Sequence, residues 1–408
     1  MSLDLLCSAS PDVFADKVWS RRAWLSRADD LPGEVADWFS VDAADSLLSR
    51  RGLRTPFVRL AKGGRIVSPS RYTGSGGVGA TIADQVLDDA VLRLFADGTT
   101  IVLQGVHRTW APVGRLAAGL SADLGHPVQV NAYITPPQSQ GFASHYDTHD
   151  VFVLQVAGRK QWRVHDPVLE APLPDEPWDL VADQVAARAQ ERPVIEEVLE
   201  PGDCLYLPRG FLHSASALGG TSIHLTFGVH AVVERDVVNA VLAAVGDSGW
   251  RSSMPVGWNP RGASGVAEID SVVAAMIDAL RGLDPDAVAA ALHDERSARQ
   301  RPEPVAPLAQ AEAAAQLTPR HVVRLREHLG VRVERDVGTG TQALVWQGRR
   351  RLAIAVGEQA ALEVLLAGGP VSVGALPLAD DEAVAFAQRL VHDGVLVVQG
   401  TAASPPLR

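Results

Sequence analysis

The chain has 408 residues, 47% of them hydrophobic, and a formal net charge of −11 at pH 7. This length exceeds that of one ordinary domain, so we expect two or three domains with sizeable buried cores. The negative charge argues against a nucleic-acid-binding surface dominated by phosphate contacts, and it suits a basic protein partner better.

The two cysteines, Cys7 and Cys204, are too few and too far apart in sequence to indicate a disulfide framework. Cys204 lies in an apolar stretch, where we expect a buried thiol. The chain shows no secretory signal at its start and no apolar run long enough to cross a bilayer. We therefore expect a cytoplasmic protein without a membrane segment.

The first half of the chain is expected to pass from a mixed region into a region of strands. Residues 1–95 combine short helices and strands with a Gly-rich loop, and the apolar spacing over 84–95 predicts a helix. Strands dominate the prediction from about 100 to 232. An acidic, alanine-rich insertion at 178–190 interrupts them.

After residue 232 the pattern predicts helices. Two of them, at 236–246 and 271–281, carry more apolar surface than a lone helical hairpin can bury, which indicates an interface. The alternative is that both faces pack on the chain's own strand-rich domain. One face comprises Val237, Val238, Val241, Leu242 and Val245, and the other comprises Val272, Val273, Met276, Ile277 and Leu280.

The last hundred residues are expected to form a separate module. The charged, proline-bearing stretch 294–309 predicts a linker, and Thr318 followed by Pro319 predicts the start of a helix. Helices at 358–366 and 380–393 with a strand at 395–399 then resemble a winged helix. The helix at 380–393 begins with three acidic residues, which would repel phosphate. We therefore interpret the module as structural or protein-binding.

The clearest functional signal is a His-x-Asp motif formed by His145 and Asp147. On a strand, side chains two residues apart point to the same side, and the apolar run 151–156 supports a strand here. His213 follows the predicted strand 204–207 and a turn, and it could be delivered from a second strand pair. Two imidazoles and one carboxylate can occupy one face of a ferrous ion and leave the other open. We predict an Fe(II) site at these three residues. The alternative is that they are unrelated polar residues.

Two stretches around this motif resemble a known family. The first runs from Asn131 to Asp147, Asn-Ala-Tyr-Ile-Thr-Pro-Pro-Gln-Ser-Gln-Gly-Phe-Ala-Ser-His-Tyr-Asp. The second covers 151–164, Val-Phe-Val-Leu-Gln-Val-Ala-Gly-Arg-Lys-Gln-Trp-Arg-Val. Both are similar to the JmjC-type ribosomal oxygenases of the cupin superfamily, and the close likeness covers roughly residues 95–230.

This resemblance implies a mainly β fold with α elements. The expected order is a double-stranded β-helix barrel of the JmjC/cupin type with an N-terminal extension, a helical dimerisation segment and a winged-helix-like C-terminal domain. The corresponding domains are residues 1–234, 235–300 and 301–408. A homodimer built through the helical segment is also implied, and two-fold pairing is the commonest closed arrangement.

Members of this family are Fe(II)- and 2-oxoglutarate-dependent dioxygenases that hydroxylate ribosomal proteins. The bacterial members resemble arginine hydroxylases and the animal ones histidine hydroxylases. For this chain the resemblance implies hydroxylation of a ribosomal protein side chain, with arginine favoured. It also implies that His145, Asp147 and His213 are both the metal ligands and the catalytic centre.

Lys160 is the residue that the resemblance assigns to the far carboxylate of 2-oxoglutarate. A lysine supplies a compact charge on a flexible stem. The chain contains three lysines, Lys17, Lys62 and Lys160, so a lysine at this position argues for a function. The alternative is a solvated cation at a strand end, like the neighbouring Arg159.

Several further polar residues are expected near the pocket. Asn131 and Tyr133 alternate on the strand before the motif, and by resemblance they line the pocket near cosubstrate and substrate. Ser222, His224 and Thr226 alternate on a later strand. Their polar face either points into the barrel, with Thr226 near the cosubstrate, or takes no part in the site. We expect His224 beside the metal ligands rather than among them.

Other functions stay open at this stage. One is a metal-binding sensory cupin joined to a winged-helix transcription regulator. Another is a metal-binding barrel without oxygenase activity, although such barrels more often present several histidine ligands. A third is a hydroxylase of a peptide or small metabolite. Succinate release from 2-oxoglutarate would identify an oxygenase, whereas tight operator binding without it would identify the regulator.

Overall fold

The structure is a computed structural model that describes residues 1–137, 139, 143–246, 250–335, 341–347 and 350–401. The chain divides into two units, residues 1–231 and 232–408, each with its own hydrophobic core. Part of the segment that carries the family resemblance, Gln138 and 140–142, lies outside the described residues.

Antiparallel strands form the centre of the first unit. They are β1 (Trp24–Ser26), β2 (Val58–Lys62), β3 (Arg65–Ile66), β4 (Thr73–Gly74), β5 (Gln85–Val86), β6 (Thr100–Leu103), β7 (Val128–Thr135), β8 (Asp150–His165), β9 (Ile195–Leu199), β10 (Cys204–Leu207) and β11 (Leu212–Val229). In the described residues, one sheet has the order β1-β10-β8-β11-β7-β6-β2-β3, and β9 pairs with β8. Strands β4 and β5 pair separately.

Alternation along these strands separates a core face from a cavity face. Strand β7 places Val130 and Ile134 in the large hydrophobic core, whereas Tyr133 and Thr135 line a cavity on the opposite face. This follows from the two-residue period of a strand. A smaller apolar cluster that includes Trp162 and Val153 lies on the cavity face. The sheet therefore presents polar side chains to an interior space that apolar residues partly fill.

The helices of the first unit differ from the sequence prediction in two places. The unit contains α1 (Pro11–Val13), α2 (Val41–Arg50), α3 (Asp88–Ala96), α4 (Val106–Thr109), α5 (Ala111–Leu124) and α6 (Ala182–Arg188). Helices α4 and α5 interrupt the stretch 100–232 that was expected to be dominated by strands. The helical spacing of Val113, Leu116 and Leu120, all buried, explains α5. Helix α3 starts at Asp88 rather than at residue 84, because 85–86 pair with β4.

The predicted insertion lies between β8 and β9. It contains a 3-10 turn, Trp178–Val181, followed by α6. Val185 of α6 packs with Tyr146 and Leu212, which are neighbours of the predicted metal ligands. The Tyr146 hydroxyl also donates a hydrogen bond of 2.9 Å to the Glu176 carbonyl. These contacts anchor the insertion beside the cavity.

The second unit begins with three helices, α7 (Glu234–Gly246), α8 (Ala263–Arg281) and α9 (Pro285–Arg299). The predicted helices at 236–246 and 271–281 correspond to α7 and to the C-terminal half of α8. The predicted linker at 294–309 is wrong at both ends, because 294–299 continue α9 and 307–309 begin the next helix. Asp294 is fixed in α9 by an ion pair with Arg332.

In its described residues, the rest of the second unit combines three α-helices with two small sheets. Its helices are α10 (Pro307–Ala315), α11 (Gln359–Leu366) and α12 (Asp380–His392). The strands are β12 (His321–Leu325), β13 (Val331–Arg335), β14 (Gln342–Trp346), β15 (Arg350–Ile354), β16 (Val371–Ser372) and β17 (Leu396–Thr401). The sheets have the orders β16-β12-β17 and β13-β14-β15.

The helix predicted to begin at Thr318 is a turn that leads into β12. The backbone N–H of Thr318 donates to Nδ1 of His321 at 3.0 Å, and the His321 N–H donates to the Thr318 carbonyl. Val323 is fully buried between β16 and β17, so the strand period overrides the local helix-start signal.

Across the described residues, no helix combines the length and apolar character needed to span a membrane.

Candidate active site

The His-x-Asp motif lies in the loop just before β8, and not on a regular strand as expected. His145 forms an isolated antiparallel bridge with His213, the second residue of β11. The His145 N–H donates to the His213 carbonyl at 3.2 Å, and the His213 N–H donates to the His145 carbonyl at 2.8 Å. The N–H of Gly210 also donates to the Asp147 carbonyl at 3.0 Å. The two sequence-distant halves of the motif are thus joined through their backbones.

The side chains of His145, Asp147 and His213 converge. One potential ligand atom from each lies within 4.8 Å of the other two. Nε2 of His213 is 3.8 Å from Oδ2 of Asp147, and the two imidazole centroids are 4.5 Å apart. Among the described residues, these three form the one group of at least three His, Cys, Asp or Glu side chains that could hold a metal ion.

Backbone carbonyls orient both imidazoles. Nδ1 of His145 is 2.8 Å from the carbonyl of Ala143, and Nδ1 of His213 is 3.1 Å from the carbonyl of Phe211. Each contact favours the tautomer with its proton on Nδ1, since a carbonyl can only accept. The lone pair is then on Nε2. Such contacts are usual for metal-binding histidines.

The electrostatics suit a cation. Burial lowers the pKa of His213 to about 4, helped by His145 and opposed by Asp147. His213 is therefore neutral at physiological pH, which is the form that binds a metal. Burial acts to raise the pKa of Asp147, but His149, His213 and His145 outweigh it, and the pKa is lowered. Asp147 is therefore ionised at physiological pH.

The three side chains open into a cavity of about 250 Å³ on the inner face of the sheet. The other lining residues come from several strands and from the insertion. They are Arg59, Thr100, Tyr133, Thr135, Val151, Val153, Lys160, Trp162, Trp178, Ser214, Ala215, His224 and Thr226.

Lys160 places a buried amine in this cavity, with 3% of its surface exposed. Its Nζ donates to the Thr135 hydroxyl at 3.2 Å and lies 5.9 Å from the ring centroid of Trp162. Burial lowers its pKa to about 7. No carboxylate of the described residues forms an ion pair with it, so the amine can receive an anion from outside.

The JmjC domain family matches residues 112–237, a range that contains the three converging side chains and Lys160. The chain carries a JmjC domain. The resemblance to the JmjC-type ribosomal oxygenases that the sequence predicts is confirmed.

Curated relatives match the same part of the chain. Human ribosomal oxygenase 1 is 33% identical over 228 residues, which cover 55% of this chain and 34% of that protein. The bifunctional lysine-specific demethylase and histidyl-hydroxylase NO66 of Aedes aegypti is 47% identical over 105 residues, covering 24% of this chain and 15% of that protein. The chain thus spans about a third of the length of the human relative.

A solved structure shares the fold. The ribosomal oxygenase YcfD of Escherichia coli, in complex with cobalt and 2-oxoglutarate, superposes with a TM-score of 0.57 at 19% identity. The likeness covers 97% of this chain and 99% of YcfD. The JmjC/cupin core expected from the sequence is therefore confirmed as a fold.

The remaining predicted pocket residues take different positions in the JmjC domain. Tyr133 and His224 stack at 5.0 Å between ring centroids, and both line the cavity with Thr226. Burial raises the pKa of Tyr133 to about 12, and the negative charge of Asp147 contributes a smaller increase. Burial, Lys160 and His213 lower that of His224. Both rings are therefore neutral at physiological pH.

Two of the predicted polar residues do not line the cavity of the JmjC domain. The Asn131 side-chain oxygen accepts a 3.0 Å hydrogen bond from the Gly105 N–H, which fixes the start of α4. Ser222 is buried and accepts a hydrogen bond from Gln155 at 2.9 Å. Asn131 also forms a side-chain hydrogen bond with Tyr133, its expected neighbour on the same face of β7, so it contacts the cavity wall without lining the cavity.

Sequence reasoning missed several cavity residues. Thr135 follows Tyr133 at the two-residue spacing of β7, so its position could have been inferred. Arg59 and Thr100 come from β2 and β6, which lie far from the motif in sequence. Trp178 comes from the insertion. The sequence contains no local signal that places these three side chains at the site.

Proposed function

We propose that this protein is an Fe(II)- and 2-oxoglutarate-dependent dioxygenase that hydroxylates a protein side chain. One observation carries the proposal. The converging His145, Asp147 and His213 side chains open into a cavity that also holds the buried amine of Lys160.

The donor set fits ferrous iron. Two imidazoles and one carboxylate leave coordination positions open, which is the arrangement of non-haem Fe(II) oxygenases. The Nδ1 contacts of His145 and His213 leave their Nε2 atoms as donors. The single negative charge of Asp147 offsets half of the charge of a divalent ion. The site thus offers ligands without filling the coordination sphere.

The cavity fits 2-oxoglutarate as a dicarboxylate. We infer that Lys160 and Thr135 receive the far carboxylate, while the keto-acid end lies at the metal. Tyr133 and Thr226 line the cavity and would contact the middle of the bound molecule. Asn131 does not line the cavity, but its hydrogen bond from the Gly105 N–H holds the adjoining loop in place. Bound iron and 2-oxoglutarate supply the oxidising power that inserts one oxygen atom of O₂ into a C–H bond, with release of succinate and carbon dioxide.

The target is proposed to be a side chain of a ribosomal protein. The names of the human and bacterial relatives support this class, and the acidic charge of the chain suits a basic partner. Arginine is the target residue favoured by the sequence resemblance. A location where ribosomal proteins are present, namely the cytoplasm, belongs to the same proposal.

The second unit is proposed to contain a segment that joins two copies of the chain and a module that binds protein. Helices α7 and α8 expose valines and leucines, which supports a helical dimerisation segment. Helices α10, α11 and α12 share one core with the sheet β16-β12-β17, a combination that supports a winged-helix-like module. We keep residues 1–234, 235–300 and 301–408 as the proposed domain bounds.

The test is 2-oxoglutarate turnover by the purified protein with Fe(II), read as succinate release. Ribosomal proteins from cells lacking the gene serve as substrate, and mass spectrometry locates any addition of one oxygen atom. Turnover with a hydroxylated ribosomal protein supports the proposal. Tight binding to promoter DNA without 2-oxoglutarate turnover would instead support a sensory regulator.

A further inference from the structure

Arg59 is a charged residue of the cavity that the proposed function does not use. It lies on β2, where it pairs with Val102 of β6, which in turn pairs with Tyr133 of β7. Residues directly opposite in a sheet share a face, so this register explains why Arg59 and Tyr133 both line the cavity.

Arg59 is half-buried, and its guanidinium forms no ion pair with any described residue. Its Nε is buried and has no hydrogen-bond acceptor among those residues. An arginine stays protonated in proteins, and burying a charge without a partner is costly. A cation held in this way is suited to a ligand that brings an oxygen acceptor.

The charge balance of the cavity shows which ligand this can be. Arg59, Lys160 and Asp147 are the charged side chains among its described lining residues. In the proposed complex, the dication of iron and the dianion of 2-oxoglutarate cancel. Asp147 offsets Lys160. The charge of Arg59 remains after both cosubstrate carboxylates have partners, at Lys160 and at the metal.

We propose that Arg59 is the specificity-determining residue of a second oxygen-acceptor subsite, in which it takes a carboxylate or carbonyl oxygen of the target protein. The planar fork of a guanidinium can donate two parallel hydrogen bonds to such a group. The inference rests on the proposed oxygenase function and narrows its target. The same charge repels a cationic side chain, so it disfavours arginine, the residue that the sequence resemblance favours.

Small side-chain mimics test the subsite without turnover. The full-length protein is loaded with Zn(II), which supports no oxidation, and with 2-oxoglutarate. Ligand-observed NMR then measures binding of propionate, propionamide and propylguanidinium. We expect propionate and propionamide to bind and propylguanidinium not to bind. Arg59→Gln should weaken propionate binding about tenfold, the loss expected when a charge-assisted hydrogen bond is removed.

Two variants serve as controls. Arg65→Gln removes an exposed arginine on the adjacent strand β3, outside the cavity, and should leave propionate binding unchanged. Arg59→Lys keeps the positive charge but loses the planar guanidinium, so it should retain part of the affinity for propionate. It also provides a second variant if Arg59→Gln fails to fold.

Three results would overturn the proposal. The first is propylguanidinium binding as tightly as propionate to the wild-type protein. The second is propionate binding that does not change in Arg59→Gln. The third is a tenfold loss of 2-oxoglutarate affinity in Arg59→Gln, measured by calorimetry, which would assign Arg59 to the cosubstrate. None of these requires turnover, so a failure of the oxygenase proposal is seen separately, as absent succinate release.

Discussion

Arg209 and Asp150 form a buried ion pair, with 3.1 Å between Nη1 and Oδ2. Asp150 opens β8 three residues after Asp147, and Arg209 lies in the turn four residues before His213. The other oxygen of Asp150 accepts a 2.8 Å hydrogen bond from the Tyr206 hydroxyl. The pair thus joins the two chain segments that carry the proposed iron ligands.

Removing Asp150 should therefore destabilise the protein and weaken its metal site. Asp150→Ala leaves the Arg209 guanidinium without its carboxylate, which should lower the free energy of unfolding by about 3–5 kcal/mol in a urea titration. Asp89→Ala is the matched control, because its pair with Arg93 is exposed, and it should leave the urea midpoint unchanged. Equal effects of the two substitutions would contradict this role.

The three proposed ligands should be individually essential. His145→Ala, Asp147→Ala and His213→Ala should each abolish 2-oxoglutarate turnover and most Fe(II) binding, because three protein ligands hold the ion. Circular dichroism should show that the fold is retained. His149→Ala changes a nearby histidine that stacks on His230 at 5.1 Å, and it should retain the metal. Near-wild-type turnover in any of the three ligand variants would refute the assignment.

Binding of 2-oxoglutarate should weaken at alkaline pH. The pKa of Lys160 is about 7 in the free protein, and a bound carboxylate raises it. Binding therefore takes up a proton above pH 7, and the affinity should fall by up to about tenfold per pH unit there, with no contribution from Lys160 well below pH 7. Calorimetry on the Zn(II)-loaded protein measures both the affinity and the proton uptake.

The matched control for this pH dependence is another lysine of the chain. Lys62→Ala removes a lysine that forms a surface ion pair with Asp97, and it should keep the wild-type slope. Lys160→Ala should bind 2-oxoglutarate weakly and lose the slope. A wild-type slope in Lys160→Ala would show that another group titrates. An unchanged 2-oxoglutarate affinity in this variant would show that another cation binds the carboxylate, and Arg59, the other cation among the described lining residues, would then be tested.

The apolar faces of α7 and α8 should hold two copies of the chain together. Val238 is 53% exposed and Val273 is 48% exposed, although both are apolar. Light scattering at micromolar concentration should therefore give a dimer mass. Val238→Asp with Val273→Asp should give a monomer, because charges would have to be buried at the interface. Val356→Asp changes another exposed valine and should leave the mass unchanged. A wild-type monomer would contradict the dimer.

The proposed site could be predicted from sequence where its residues follow short-range rules. His145, Asp147 and Lys160 lie within sixteen positions of one another, and His213 follows a recognisable strand and turn. Arg59 reaches the cavity because β2 pairs with β6 and β6 with β7, and no local pattern encodes such long-range pairing. The same limitation hid Thr100.

The secondary structure was predicted best where the local pattern of apolar and turn residues is unambiguous. Strand β10, residues 204–207, was predicted with its observed bounds because apolar residues stand between turn residues. The start signal at Thr318 failed because packing of Val323 in a sheet outweighs a local cap. Helix α5 was missed although its 14 residues carry helical spacing, because Gly114 and Gly119 weaken the local helix signal within a stretch that otherwise reads as strands. The His-x-Asp motif proved to be a loop, held in place by its backbone bridge to His213.

The low pKa of Lys160 also has a chemical consequence. Because burial lowers its pKa to about 7, more of this amine is deprotonated and nucleophilic at neutral pH than is the case for an exposed lysine. An acylating reagent small enough for a cavity of about 250 Å³ can therefore modify Lys160 under mild conditions. Occupancy of the cavity by a dicarboxylate shields the amine and returns its proton. The rate of covalent labelling at this lysine thus provides a chemical footprint of cosubstrate occupancy that requires neither oxygen nor turnover.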